Sequence, residues 1–298
     1  KEIKQVETSK EEKDFKYWTW TTANAQRADT SYQREFAKYK SNGIDAVLIN
    51  TNTDPKLLER LTPIATKEGL EVHAWIMAMN RPGDSVALQH PDWYAVSREG
   101  KSCFDTRPYV DYYQWMCPTR KESRGHVLDL VEGLAKVEGV ASVHLDYIRY
   151  SDIFLPIGLL PKYNLKQEVE LPEFDFCYCD VCVAEFEKIH HKNPRDFENP
   201  AIDMERWDKW DIDMVLPMIY NNFYNEEIDW IGFATGQGVK DLEGMNTELH
   251  TGVFVPTMSA EDVSTAIKLA KDNGAKGISF FDGNAITEAQ FKAIKASK

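Results

Sequence analysis

The sequence predicts an α/β fold: a (β/α)8 barrel of parallel strands with long loops after strands 3 and 4. Three observations carry this expectation. Strand-like and helix-like stretches alternate from Tyr17 to the C-terminus, the order that builds a parallel sheet. Most of the strand stretches are apolar throughout, as strands covered on both faces are. The number of such units favours a closed barrel over a doubly wound open sheet. No Gly-x-Gly-x-x-Gly follows the first strand, which weakens a dinucleotide-binding version of that alternative.

Each element has its own signal. Tyr17 to Thr22 reads as the first strand, and Tyr32 to Lys40 as part of a helix. Gly43 to Asn50 is a continuous apolar strand. Asp54-Pro55 then opens a helix, with an N-cap side chain and Pro at the first position, and Leu57, Leu58, Leu61 and Ile64 carry it to Gly69. Glu71 to Met77 is the third strand. Arg120 to Val137 is a helix with Val127, Leu130, Val131 and Leu134 at helical spacing, and Val140 to Asp146 is the fourth strand. Asp180 to His191 is helical. Asp213 to Tyr220, His250 to Val255 and Gly277 to Phe281 are three further strands, with helices from Ala260 to Lys271 and from Glu288 to Lys295. That makes seven strands. The interval between Tyr150 and Asp213 holds no convincing strand, and Asp203-Met204-Glu205-Arg206-Trp207 passes abruptly between two patterns. We therefore expect one strand–helix unit to be missing near Met204 to Arg206.

The chain's 298 residues, 43% of them hydrophobic, suit one large domain from 15 to 298. The first fourteen residues are polar and aperiodic. They read as a flexible tail left after a leader is removed, which points to an extracytoplasmic location: periplasmic, secreted or lipid-anchored. No apolar run reaches the roughly 18 residues a membrane span needs. The net charge of -13 repels phosphate backbones and argues against nucleic acid as a partner. Eight Trp and thirteen Tyr serve either core packing or a surface on which sugar rings stack. Two long excursions, Met79 to Pro118 and Ser151 to Pro200, leave from the C-terminal ends of strands, where barrel active sites lie. Their Trp93, Tyr94, Arg107, Tyr109, Tyr112, Tyr113 and Trp115 are expected to wall a cleft.

The densest chemistry lies in Val143-His144-Leu145-Asp146-Tyr147-Ile148-Arg149-Tyr150. A buried strand ends there in a packet of polar and aromatic groups; a structural ion pair between Asp146 and Arg149 is the plainer reading. This motif, with Trp18-Thr19-Trp20, Ala46 to Asn52, Glu71 to Trp75, Val215 to Tyr220 and Gly277 to Phe281, resembles the TIM-barrel glycoside hydrolases of the glycosyl-hydrolase-10-like family, Bacteroidetes type. The resemblance covers nearly the whole chain after about Phe15. It implies eight strands, from which this chain departs at the fifth, and a carbohydrate ligand.

Glycoside hydrolysis needs two carboxyl groups flanking the bond. Asp146 stands first, as nucleophile or base, with Arg149 placed to hold it ionised. The second carboxyl could be Glu226, or its neighbour Glu227, just past a strand end, or Asp282 at the end of the last strand. The Glu pair could equally open a helix, and Asp282 could hold the Gly283 turn. Trp20, Asn50, Asn52, Trp75, Tyr147, Arg149, Tyr220 and Asn221 sit at or near strand ends as substrate contacts, the amides reading hydroxyls by donating and accepting together. His73 and His144 read as core histidines. No cofactor is required for this chemistry.

Cys177, Cys179 and Cys182 crowd together at the head of a helix, a spacing that can chelate a structural zinc, with a fourth ligand from Cys103, Cys117 or a His. Free thiols or one disulfide are the alternatives. The reading as a whole is a hydrolase acting on a polysaccharide or oligosaccharide. Its competitor is a barrel that binds carbohydrate without cleaving it.

Overall fold

The structure, a computed structural model, describes residues 15–196 and 209–298. Seven parallel strands alternate with helices: β1 (Lys16–Thr22), α1 (Asp29–Ser41), β2 (Ala46–Asn50), α2 (Pro55–Lys67), β3 (Glu71–Met77), α3 (Lys121–Ala135), β4 (Val140–Asp146), α4 (Asp180–His190), β5 (Met214–Val215), α5 (Trp230–Asp241), β6 (Glu248–Phe254), α6 (Ala260–Asp272), β7 (Gly277–Phe281) and α7 (Glu288–Ala296). The strand order is β4-β3-β2-β1-β7-β6-β5. This is a barrel wall curled about β1. Among the described residues it does not close, because β4 pairs only with β3 and β5 only with β6. The expected missing unit near Met204 to Arg206 and the expected N-terminal tail both fall outside the described residues. At the two flanks of the opening, Leu145 on β4 and Met218 just past β5 are 38% and 53% exposed.

The helix boundaries follow their caps. Asp54 accepts the Lys56 amide at the start of α2. Capping boxes formed by Ser259 with Asp262 and by Thr287 with Gln290 open α6 and α7. Two elements differ from expectation. The strand expected from Asp213 to Tyr220 is regular only over Met214–Val215, because Pro217 has no N–H for the ladder. The chain nonetheless stays beside β6: Gly252 donates its N–H to Pro217 O at 3.0 Å, and Ile219 N–H bonds Gly252 O at 2.9 Å. Helix α5 is the second: no helix is expected there from the sequence, where glycines interrupt any apolar period. Those glycines serve packing: a Cβ on Gly232 would lie 2.9 Å from both Asn273 and Leu269, at the C-terminal end of α6, and one on Gly236 would lie 3.1 Å from Asn273.

The two excursions are compact. Asn80 bridges Trp115, Tyr94 bridges Met116, Val96 bridges Ser102, and Ser97 bridges Phe176, so the first excursion folds on itself and onto the second. Trp93, Tyr94, Tyr113 and Trp115 are buried in a separate apolar cluster with Ala78, Met79, Cys103 and Val127. These aromatics were expected to wall a cleft. They are core instead, because a loop of this length needs apolar burial of its own to stay ordered. Tyr109 stacks on Phe174 at 3.9 Å, while Arg107 and Tyr112 are exposed. Asp84 anchors the excursion to α3. Burial disfavours its charge, but the Ala87 amide, His126 and Arg81 outweigh burial and draw the carboxyl down to about 2.

Inside the barrel the inward residues form a layer of Trp18, Trp20, Ala46, Leu48 and Trp75. His73 stacks on Trp18 at 4.1 Å and holds Ser142 Oγ at 2.7 Å through Nδ1. His250 packs edge-on against the same Trp18 at 4.7 Å, and among the described residues neither of its ring nitrogens has a hydrogen-bond partner. Burial lowers both histidines to about 4 from their ordinary 6.5; Glu248 works against this shift at His250, while His73 and Lys16 add to it. A histidine held neutral when folded takes up a proton on unfolding below pH 6.5. Stability therefore falls with pH from 6.5 down to about 4, by roughly 3 kcal/mol per histidine at ~1.4 kcal/mol per unit. Urea denaturation at pH 7 and pH 5 should show a loss of about 2 kcal/mol for each such histidine, and His250→Gln should remove one histidine's share. A pH-independent midpoint over that range would contradict the assignment.

Candidate active site

Strand alternation builds the site. Ser142, His144 and Asp146 share the inward face of β4, as His73, Trp75 and Met77 share that of β3, and the parallel register sets Met77 beside Asp146 and Trp75 beside His144. Asp146 thus ends its strand at the mouth of the barrel. Trp75 Nε1 donates to Asp146 Oδ2 at 3.0 Å, and the Tyr147 amide donates to Oδ1 at 2.7 Å. Both oxygens accept, the role of a carboxylate. Tyr147 turns the chain through a left-handed conformation at φ 51°, while the Ala78 amide still reaches Asp146 O. One layer down, Trp20 Nε1 donates to His144 Nε2 at 3.2 Å. That bond needs an unprotonated Nε2, and burial, then the charge of His73, lowers His144 to about 4.

Aromatic rings surround this point. Phe281 lies 5.9 Å from Trp20, 6.1 Å from Trp75 and 6.2 Å from both Tyr220 and Phe254. Tyr220 is buried, and its phenol is raised well above its ordinary 10 by burial first, then by the charges of Asp146, Tyr147 and Asp282. Two of the three candidate carboxylates therefore bear on one phenol. Asp282 also accepts the Ala285 amide at 3.1 Å, so it holds the Gly283 turn as well. Glu226 is placed differently. It is exposed on the loop after β5, and its main chain is clasped by Asn221, whose Nδ2 donates to Glu226 O at 2.9 Å. Glu227 is likewise exposed, ahead of α5.

The remaining candidates divide between the mouth and the turns. Asn50 uses Oδ1 to accept the Asn52 amide at 2.8 Å, and Asn52 and Thr53 take left-handed backbone, so this pair builds the turn into α2. Arg149 lies over Trp115 and Tyr147 at 5.2 and 5.7 Å and pairs with Asp152 at 3.3 Å. Asp152 in turn accepts Tyr113 OH at 3.2 Å, and its carbonyl accepts Tyr109 OH at 2.8 Å. In the sequence Asp152 stands only as an outside candidate for the second carboxyl; its three-residue spacing from Arg149 is the signal for the bracing role. Phe254 was missed because it reads as one more apolar residue in a strand.

The thiols converge. Cys177, Cys179 and Cys182 meet Cys117 from the first excursion, with all four sulfurs within 4.8 Å of one another. Cys103 is not of this group; it is buried in the excursion core, which pushes its thiol up to about 12. His190 packs on Phe186 at 4.3 Å, at the far end of α4.

No family model and no curated protein matches the chain. Solved structures do. The catalytic domain of a β-amylase from Paenibacillus polymyxa superposes with a TM-score of 0.54 at 8% identity, covering 96% of this chain and 98% of that one. An endo-β-1,4-mannanase from Thermotoga petrophila gives 0.52 at 9%, covering 96% and 76%. A β-galactosidase from the haloarchaeon Halorubrum lacusprofundi gives 0.52 at 9%, covering 95% and 57%. The chain shares with these three structures a parallel, curled α/β sheet flanked by helices. Among the described residues, no helix is long and apolar enough to cross a membrane.

Trp75→Phe tests how Asp146 is held. It keeps an aromatic ring but removes the Nε1 donor, leaving Oδ2 without that partner. A loss of about 1–3 kcal/mol in urea denaturation at pH 7 is expected. An unchanged midpoint would mean the bond contributes nothing to holding the carboxylate.

Proposed function

We propose that the protein is a glycoside hydrolase acting on a polysaccharide or oligosaccharide through two carboxyl groups. The observation that carries this reading is the Asp146 carboxylate at the barrel mouth, held by Trp75 and the Tyr147 amide near the rings of Phe281, Phe254 and Tyr220. Aromatic faces take the apolar faces of sugar rings. Two N–H donors fix the carboxylate's direction, which suits attack on the sugar or on water. Asp282 is assigned as the proton donor in this proposal, because it follows β7 at the same mouth and neighbours the buried Tyr220 on which Asp146 also acts. Arg149, braced by Asp152, would bind hydroxyl groups at the rim. The strand-end motifs support placing the chain in the glycosyl-hydrolase-10-like group, and an extracytoplasmic setting suits a polymeric substrate.

The test is release of reducing sugar from a panel of plant, algal and host glycans. Asp146→Asn should lower cleavage by about 10³-fold or more, Asp282→Asn by about 10²–10⁴-fold, and Glu226→Gln by less than about threefold. A larger loss in Glu226→Gln than in Asp282→Asn would exchange their roles. Binding of a glycan by the parent protein with no cleavage of any would replace the hydrolase with a carbohydrate-binding barrel.

A further inference from the structure

We propose that Cys117, Cys177, Cys179 and Cys182 form a tetrathiolate zinc site that fastens the second excursion to the first. The proposal is independent of the hydrolase reading. Its ground is the convergence of four sulfurs from two segments about sixty residues apart in sequence. The Cys117 sulfur lies 3.4 Å from that of Cys182 and 3.6 Å from that of Cys179, and every pair is within 4.8 Å. Around a tetrahedral zinc with bonds of roughly 2.3 Å, sulfurs stand about 3.8 Å apart. All four thiols are free, and Cys117 approaches two partners at once, which suits a shared centre better than one paired bond.

The surroundings suit the charge such a centre carries. Four thiolates around Zn²⁺ leave a net charge of about −2, and binding releases their protons. The Val96 amide points at Cys177 Sγ at 3.4 Å, and the Cys182 amide at Cys179. Cys179 is the N-cap of α4 and Cys182 lies in its first turn, where free backbone amides and the helix dipole favour negative charge. The charge of Cys179 also acts on the Arg120 guanidinium. Such outer partners orient thiolate ligands. With four sulfurs the coordination is complete, so the metal positions the chain and takes no part in the reaction. Zinc is preferred to ferrous iron because the same ligand set binds it more tightly.

What the site positions is visible in Tyr150. Its hydroxyl lies 3.8 Å from Cys182 Sγ and 3.3 Å from Thr119 Oγ1, two residues after Cys117. Tyr150 follows Arg149, whose Nη1 bonds the Tyr150 carbonyl at 2.9 Å. The metal would thus brace the segment that carries Tyr147, Arg149 and Asp152.

The test uses the full chain purified from zinc-supplemented cells. Elemental analysis should give about one zinc per chain. Replacement by Co²⁺ should produce the intense visible bands of a tetrahedral site, together with near-ultraviolet thiolate-to-cobalt charge transfer. Cys117→Ser should weaken zinc retention against a competing chelator at least about tenfold, whereas Cys103→Ser should leave it unchanged. If Cys117→Ser does not fold, the cobalt spectrum of the parent protein still decides. Zinc below about a tenth of an equivalent without a cobalt–thiolate spectrum, iron in place of zinc, disulfides among the four residues, or equal loss in Cys103→Ser would each overturn the proposal.

Discussion

The register of β3 against β4 sets where Asp146 is held. Met77 lies beside Asp146 and Trp75 beside His144, so the Trp75 indole rises from the strand below the carboxylate and reaches it. A slip of one residue would turn Asp146 outward and bring Leu145 into the barrel. Nothing in the loops could compensate, because the aromatic collar comes from the ends of other strands held in the same parallel order. Phe281 meets Trp20 and Trp75 on one side and Tyr220 and Phe254 on the other because β7 joins β1 to β6. The site is therefore a property of the sheet, decorated by loops.

The loops solve a separate problem. Forty residues leaving a strand end would be costly to order unless they buried apolar surface of their own. The first excursion does so with Trp93, Tyr94, Trp115 and Met116, and Asp84 ties it to α3. The second has less: no residue of α4 is buried, and its apolar contacts are concentrated at Leu155, Phe174, Tyr178 and Cys179. A cluster of four thiols at the junction of the two is placed where packing alone is thin. Arg149, lying over Trp115 and paired with Asp152, links this junction to the mouth.

The barrel interior is unusually polar for a core. His73 and His250 flank Trp18, and His144 accepts from Trp20. Burial is the main cause that holds each of them neutral when folded, outweighing Glu248 at His250. The layer beneath the site is thus compatible with the fold near neutral pH and antagonistic to it in acid, whatever the chemistry above requires.

The sequence by itself determined the alternation of strands and helices, the bounds of β1, β3, β4 and β7 to within a residue, and the cap of α2, because these depend on local pattern and local hydrogen bonding. It also brought Asp146 to the end of its strand, since period two and strand length are local. The roles of residues far apart were decided only in three dimensions. Whether an aromatic residue packs or faces the mouth depends on which segments cover it: Trp115 and Tyr94 are buried by loop-on-loop contact, while Trp75 meets Asp146 across 71 residues of chain. Helix α5 was illegible because its glycines answer to Asn273 and Leu269 on a neighbouring helix, and β5 was overread because Pro217 breaks a ladder that an apolar run suggests. Three cysteines announced themselves by spacing. The fourth, Cys117, came from the other excursion, because convergence of sulfurs is set by how two loops fold together.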